Sequence, residues 1–257
     1  MWSNFIDYYE DGMAFFPEAT KCYNEIDSAF LSFIKNYNIF EVKIPSLISE
    51  DILEKCGYFE TFPQHLTQLA AYGEQRTTKK KCFLTPAACI HIYPMLKKGF
   101  HMNSCYTTLE RVYRYENGNF TNEERLWEFT VREIVFVGQE KFVKEALKDI
   151  ECKALEYAMG FNPDAKIVQA HDSFVPSKEN LIREKLQMAN HLKDELIVHY
   201  KGREIAIASF NFHGNHFSKT FGFDQNNKVV TGCVGFGMER WMLYLDENSG
   251  TGENTER

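Results

Sequence analysis

Between Pro17 and Asn38 apolar residues return every three or four positions, at Ala19, Cys22, Tyr23, Ile26, Ala29, Phe30, Phe33, Ile34 and Tyr37. That is the period of a helix burying one face, and Pro17 suits its first turn, where an amide hydrogen is not needed. The pattern then changes: Phe40-Glu41-Val42-Lys43-Ile44 alternates and ends on Pro45, which reads as an edge strand because proline cannot donate to a central ladder. Ser49 is placed to cap a helix over 49–56. From Cys82 a short strand leads to Thr85-Pro86, a helix start with Cys89 in its first turn. Helical periodicity returns over 143–159. A third helix is predicted over 177–196, capped by Ser177 and charged on most of its turns, which suits an appendage outside a central sheet. Strands are predicted over 166–174, 204–212 and 229–234, the last two separated by the Gly/Asn-rich bend 224–228.

The most informative stretch is Leu109 to Gly138. β-formers over 106–115 and 129–137 flank a polar loop, which is longer than a minimal hairpin turn and suits a ligand lid. Arg114 and Glu116 stand two apart, so on a strand they leave the same face. Arg125 follows across the loop with Phe129 four residues on, and Glu133 lies within an apolar run. Guanidinium, carboxylate and ring together could grip a phosphate, a hydrogen-bonding ring edge and a ring face. They also suit an exposed hairpin laced with salt bridges, and the pattern alone leaves both readings open. Cys89 has the same duality, as a small buried hydrophobe or as a thiolate favoured by a helix N-terminus.

Composition narrows the class. A chain of 257 residues, 44% apolar and 25% charged, is an ordinary soluble protein able to bury one large core. No apolar run approaches the roughly 18 residues of a membrane span, and the acidic, aromatic start is no secretory signal. Seven cysteines without paired spacing argue for a reducing, cytoplasmic setting and for thiols or metal ligands rather than disulfides. A net charge of −7 disfavours a large polyanion as obligate partner, although the basic run Arg76 to Lys81 could meet an acidic one.

Three motifs in order resemble the class II aminoacyl-tRNA synthetases. The 17–45 helix and strand with Pro45 is similar to motif 1, which builds the dimer interface. Tyr113-Arg114-Tyr115-Glu116, the loop, Arg125 and Phe129 resemble motif 2. Gly232-Cys233-Val234-Gly235-Phe236-Gly237-Met238-Glu239-Arg240-Trp241 resembles motif 3. The resemblance implies an α+β fold, an antiparallel sheet flanked by helices, in a single catalytic domain over 1–247 that dimerises; residues 248–257 read as a disordered tail. It implies that Arg114 holds the ATP α-phosphate, that Glu116 and Phe129 meet the adenine, helped by Arg125, and that Arg240 reaches the γ-phosphate.

Within that family the chain resembles the truncated seryl-tRNA synthetase homologues called amino acid:[carrier protein] ligases. Thr85-Pro86-Ala87-Ala88-Cys89 with Tyr93-Pro94, the segment Tyr58 to Pro63, Asp172-Ser173-Phe174, Ser209-Phe210-Asn211 with His216-Phe217, and Cys233 to Trp241 carry the likeness. It implies a zinc ion on Cys89, Glu133 and Cys233 that binds the substrate amine, and Mg²⁺ with ATP. Glu204 is the carboxylate nearest the expected Mg²⁺ ligand, though its spacing to Asn211 is off by about one residue. The implied activity is adenylation of a small amino acid, glycine or alanine before serine, in a pocket bounded by Ala87, Ala88 and Trp127. The aminoacyl group would pass to the phosphopantetheine thiol of a carrier protein. Docking would fall to the 177–196 helix with Lys178, Arg183, Lys185 and Lys193, helped by Lys79 to Lys81. Motif 1 begins near residue 17, so no tRNA-binding appendage is expected before it, and no tRNA partner. A stand-alone tRNA-charging enzyme and a non-catalytic regulatory paralogue are the rival readings; the presence of the motif arginines and all three metal ligands disfavours the second.

Overall fold

The structure, a computed structural model, describes all residues except 1–3, 5, 10–11, 71–80, 122–123, 225, 227 and 249–257. A hairpin of β1 (Ile6–Tyr8) and β2 (Met13–Phe15) leads into α1 (Pro17–Phe33). α1 ends sooner than its periodicity predicts. Ile34 and Tyr37 continue the apolar stripe but are placed by a turn, in which the Tyr37 amide donates to the Ile34 carbonyl at 2.9 Å and the Tyr37 hydroxyl to Asp149 at 2.7 Å. The chain continues through β3 (Ile39–Glu41), β4 (Leu47–Ser49), α2 (Glu50–Lys55), α3 (Tyr58–Thr61), β5 (Cys82–Leu84) and α4 (Cys89–Leu96). Then follow β6 (Ser104–Tyr113), β7 (Glu128–Gly138), α5 (Glu140–Met159), β8 (Lys166–Gln169) and α6 (Lys178–Ala189). The last elements are β9 (Lys193–Tyr200), β10 (Arg203–Gly214), α7 (His216–Phe221), β11 (Val230–Gly237) and α8 (Met238–Asn248).

Seven strands form one sheet in the order β3-β6-β7-β11-β10-β9-β8, antiparallel throughout except where β3 runs parallel to β6 at the edge. Alternation along the strands gives the sheet two different faces. One is the core: Phe136, Leu196, Val198, Phe210, Val234 and Phe236 pack against α1, α5 and α8. Phe30 stacks on Phe236 at 4.2 Å, and Trp241 is fully buried beside them. Each such side chain contributes roughly 1.5–3 kcal/mol through burial. α5 lies so close to β11 that a Cβ at Gly232 would fall 2.8 Å from Leu147 Cδ1 and 3.0 Å from Val143 Cγ1, so only glycine fits there without a shift.

α4 and α7 cover part of the other face, where Ile92, Tyr93 and Leu96 meet Tyr106, Val135, Val137 and Phe221. Its remaining positions carry Glu133, Cys233, Asn211, Ser209, Glu195 and Lys193, which the register of β7, β11, β10 and β9 sets side by side.

One expectation needs correction. The 177–196 helix stops at Ala189, and Lys193 to Leu196 belong to β9. The Leu192 amide returns to the Gln187 carbonyl at 3.0 Å, and β9 pairs with both β8 and β10. The high charge of this segment hid the strand: Leu196, Val198 and Tyr200 alternate into the core while Lys193 and Glu195 face the opposite side. At the C-terminus Asn248 closes α8, and the remainder of the expected tail lies outside the described residues.

Candidate active site

α4, β7 and β11 each deliver one residue to the same point. One ligand atom each from Cys89, Glu133 and Cys233 lie within 4.8 Å of one another. Cys89 opens α4, while Glu133 and Cys233 project from adjoining strands through the pairings Glu133↔Gly235 and Cys233↔Val135. Gly235 lies against Glu133 in this pairing, with Val131 and Ser209 also next to it. Burial pushes the Glu133 carboxyl up to about 7, although Cys233, Arg114 and Cys89 each pull it down. The hydrogen bond with Cys89, burial and the Glu133 charge all drive the Cys233 thiol upward. Protons are therefore held where a soft divalent cation would replace them. Two thiols and a carboxylate suit zinc, and three protein ligands leave a fourth tetrahedral position for a substrate.

Around this triad sit further polar groups; the sequence marks Asn211 and Tyr93 only among the residues carrying the likeness, and His213 not at all. His213 Nε2 lies 3.6 Å from Cys233 Sγ, and its Nδ1 is 3.2 Å from Thr231 Oγ1 and 3.3 Å from Tyr93 Oη. Asn211 donates from Nδ2 toward Cys233 Sγ at 3.7 Å. Tyr93 stacks on Phe217 at 3.8 Å, so α4 and α7 wall this end of the site together.

The motif arginines gather beside the triad. Arg114 Nε donates to the Pro86 carbonyl at 3.0 Å, and its guanidinium stands 5.3 Å from the Phe129 ring centroid. Arg125 pairs with Glu116 at 3.0 Å. Arg240 donates to the carbonyls of Glu124, at 2.9 Å, and Ala206, at 2.8 Å. Burial lowers its pKa; of its charged neighbours, Glu116 raises it, Arg114 and Arg125 lower it and Glu195 raises it, so motifs 2 and 3 share one electrostatic region. Arg114 thus adjoins the three-ligand site, with Arg125 and Arg240 in its electrostatic region, an arrangement chemically suited to a polyphosphate beside the triad.

Two expected site residues lie elsewhere. Glu204 is at the far end of β10, exposed, bonded to Lys166 at 2.6 Å and close to His199. Two other carboxylates are in electrostatic reach of Arg240, Glu116 first and then Glu195, which lies opposite Ser209 on β9. Its signal in the sequence was the alternation of β9, masked by the helical reading. Lys193 is no surface cation: its side chain is 12% exposed, and its ammonium is 2.8 Å from Asp172 and 3.0 Å from Glu195. For Asp172, burial favours the protonated form, yet Lys193 and Gln187 outweigh it and hold the carboxyl below its ordinary value. Ala88 is sealed under Ile44, Val112 and Val131, and Trp127 packs on Phe120 and Tyr115 beside the motif 2 loop. Lys178, Arg183 and Lys185 are exposed on α6. Lys79 and Lys80 lie outside the described residues, and Lys81 is bonded to Glu50 at 2.7 Å.

No family model matches the chain. It is 27% identical over 239 residues to an amino acid–[acyl-carrier-protein] ligase of Bradyrhizobium diazoefficiens, covering 82% of this chain and 72% of that protein. It is 31% identical over 256 residues to a type-2 serine–tRNA ligase of Methanococcus maripaludis, covering 82% of this chain and 48% of the ligase. Among solved structures, seryl-tRNA synthetase of M. kandleri with A. aeolicus tRNASec superposes at a TM-score of 0.79, with 16% identity, over 96% of this chain and 55% of that one. The fold is that of a class II aminoacyl-tRNA synthetase catalytic core. A prolyl-tRNA synthetase from Giardia lamblia in complex with prolyl-adenylate matches the class II core at a TM-score of 0.73 and 16% identity, over 95% of this chain and 50% of that one. The class II core spans about half the length of the serine–tRNA ligases it matches. Its curated relatives are ligases.

Proposed function

We propose that this chain activates a small amino acid with ATP and hands the aminoacyl group to the phosphopantetheine thiol of a carrier protein. One observation carries the reading: Arg114 Nε donates at 3.0 Å to the carbonyl of Pro86, three residues before Cys89, so the guanidinium stands beside the Cys89/Glu133/Cys233 triad. An amino acid whose amine meets the triad then has its carboxylate beside the arginine that would hold the α-phosphate. Proximity of this kind removes much of the entropic cost of a two-substrate reaction. Zinc, held by the three residues, would supply a Lewis-acid position for the free amine.

The carboxylate attacks the α-phosphorus, the bond to pyrophosphate breaks, and aminoacyl-AMP remains. Arg114 and Arg240 offset the negative charge that builds on the phosphoryl oxygens, the kind of electrostatic stabilisation that dominates such transfers. Phe129 offers its ring to the base, Glu116 its hydrogen-bonding edge with Arg125 alongside, and Glu195 replaces Glu204 as the carboxylate for Mg²⁺. The thiol sulfur then attacks the aminoacyl carbonyl, the thiol loses its proton, and AMP leaves. We read the protein as a homodimer built on its motif 1 side.

α6 supports a protein acceptor. Its inward face is polar, with Asn180 bonded to the carbonyls of Glu60 and Val175 at 2.8 Å, while Leu181, Ile182 and Leu186 are more than half exposed next to Lys178 and Lys185. A helix turned inside out in this way offers an apolar stripe with basic flanks, which suits an acidic carrier. The serine–tRNA ligase relatives favour tRNA as the alternative acceptor. The test offers enzyme, ATP and labelled glycine to holo-carrier protein and to total tRNA from the same genome. Label on the carrier thiol supports the proposal; label on tRNA alone overturns it. Pyrophosphate exchange should be strongest with glycine or alanine, with neighbours differing by one methylene within ~10 to 200-fold.

A further inference from the structure

His65 lies in the turn Pro63–His65 after α3, between the motif 2 loop and the segment that follows β8. Its backbone is fixed from both sides: its amide donates to the Phe62 carbonyl at 3.0 Å, and its carbonyl accepts from the Tyr115 amide at 3.1 Å. Its ring is fixed by stacking on Phe62, with centroids 5.2 Å apart and planes 11° from parallel; Phe62 in turn packs on Phe174 at 5.0 Å. Within this anchored turn Nδ1 is buried with no hydrogen-bond partner among the described residues.

That orphan decides the tautomer. A neutral imidazole carries one N–H, and a buried N–H without an acceptor is costlier than a buried lone pair. The proton therefore belongs on Nε2. The ring also stays neutral: burial first, and then the Arg114 charge, hold its pKa at about 3. Its carbonyl bond to the Tyr115 amide sets His65 against the residue that follows Arg114, so the ring offers a rigid, uncharged N–H donor there, an anion-binding element that adds no charge of its own. The arginines Arg114, Arg125 and Arg240 already crowd this region, so a further cation would repel them.

Resting on the adenylation reading above, we infer that His65 is a further catalytic residue, donating from Nε2 to a phosphoryl oxygen of the α-phosphate that Arg114 holds. The donor is oriented before substrate arrives, the condition under which a single hydrogen bond is worth most in a transition state.

Three variants read this out by pyrophosphate exchange with ATP and glycine. His65→Phe keeps the stack on Phe62 and removes the donor; kcat should fall about 10- to 10²-fold with the KM for ATP within about threefold. His65→Gln places an amide N–H near the Nε2 position and should recover to within about threefold of the parent. His65→Asn, whose amide reaches only as far as Nδ1, should behave like His65→Phe. Thermal unfolding of each variant controls for folding. An unchanged kcat in a folded His65→Phe, or a His65→Gln as impaired as His65→Phe, overturns the inference while leaving adenylation intact. Absence of exchange by the parent protein with any amino acid overturns the adenylation reading and this assignment with it.

Discussion

Arg132 grips Asp27 through two hydrogen bonds of 2.6 Å, on the opposite side of the sheet from its neighbour Glu133. Arg132 is 2% exposed and also donates to Thr107 Oγ1 at 3.3 Å, while Thr107 donates to the Glu133 carbonyl at 2.8 Å. α1 is thus tied through the sheet to the strand that presents the triad carboxylate. Asp27→Asn leaves a guanidinium buried without its counter-charge and should cost about 3–5 kcal/mol in urea denaturation. A loss below about 1 kcal/mol would mean that water or another acceptor already compensates Arg132.

Metal content follows from the triad. The purified protein should hold about one zinc per chain, as a single three-ligand site requires. Cys89→Ser and Cys233→Ser should each lose both the metal, measured by elemental analysis, and pyrophosphate exchange. Full exchange by protein shown to be free of metal would remove zinc from the reading.

The two carboxylates in dispute separate cleanly. Glu195→Ala should depress exchange at limiting Mg²⁺ strongly, whereas Glu204→Ala, which only frees Lys166 on the surface, should leave it within about twofold, in line with substitutions at exposed sites. Arg114→Ala should lose on the order of 10²-fold. The opposite order for Glu195 and Glu204 would restore the spacing-based assignment.

Stability should depend on pH through Glu239, at the start of α8. Its carboxylate accepts from the Thr130 amide at 2.9 and 2.8 Å, but burial pushes the carboxyl up to about 7. A carboxyl raised above its unfolded value of about 4.3 binds its proton more tightly when folded. Its stabilising contribution is complete below that value and disappears as pH rises through about 7. Glu239→Gln should therefore shrink the difference in urea midpoint between pH 5 and pH 8. An unchanged difference would mean that Glu239 is already ionised at pH 5.

Charge reversal on α6 tests the docking face. Arg183→Glu with Lys185→Glu should slow aminoacyl transfer to a carrier and steepen its salt dependence, with exchange unaffected, since rim charges act mainly on association. Equal loss of exchange and transfer would place these residues in the cleft instead.

The sequence revealed the elements whose pattern serves packing. α5, β6, β7 and β11 fall close to where their patterns put them, because their apolar positions are packed, α5 on one face of the sheet and the strands between helices on both. Pattern failed where side chains serve the other face. β9 opens Lys193-Asp194-Glu195, a run that reads as solvated helix until Asp172 is seen to bury the lysine. The triad was legible only through motif likeness, since Cys89, Glu133 and Cys233 are far apart in the chain and two of them read equally well as core. His65 offered no signal at all: its meaning lies in a missing partner, which only packing exposes.

The triad also sets an order of events. Cys89 and Glu133 are made long before Cys233, and β11 must insert between β7 and β10 before the third ligand reaches the others. A growing chain that has completed Arg114 and the whole β6–β7 hairpin therefore still lacks one corner of the triad. β11 is the final strand of the chain, so the cluster of Cys89, Glu133 and Cys233 is completed only by the last strand of the sheet to be made.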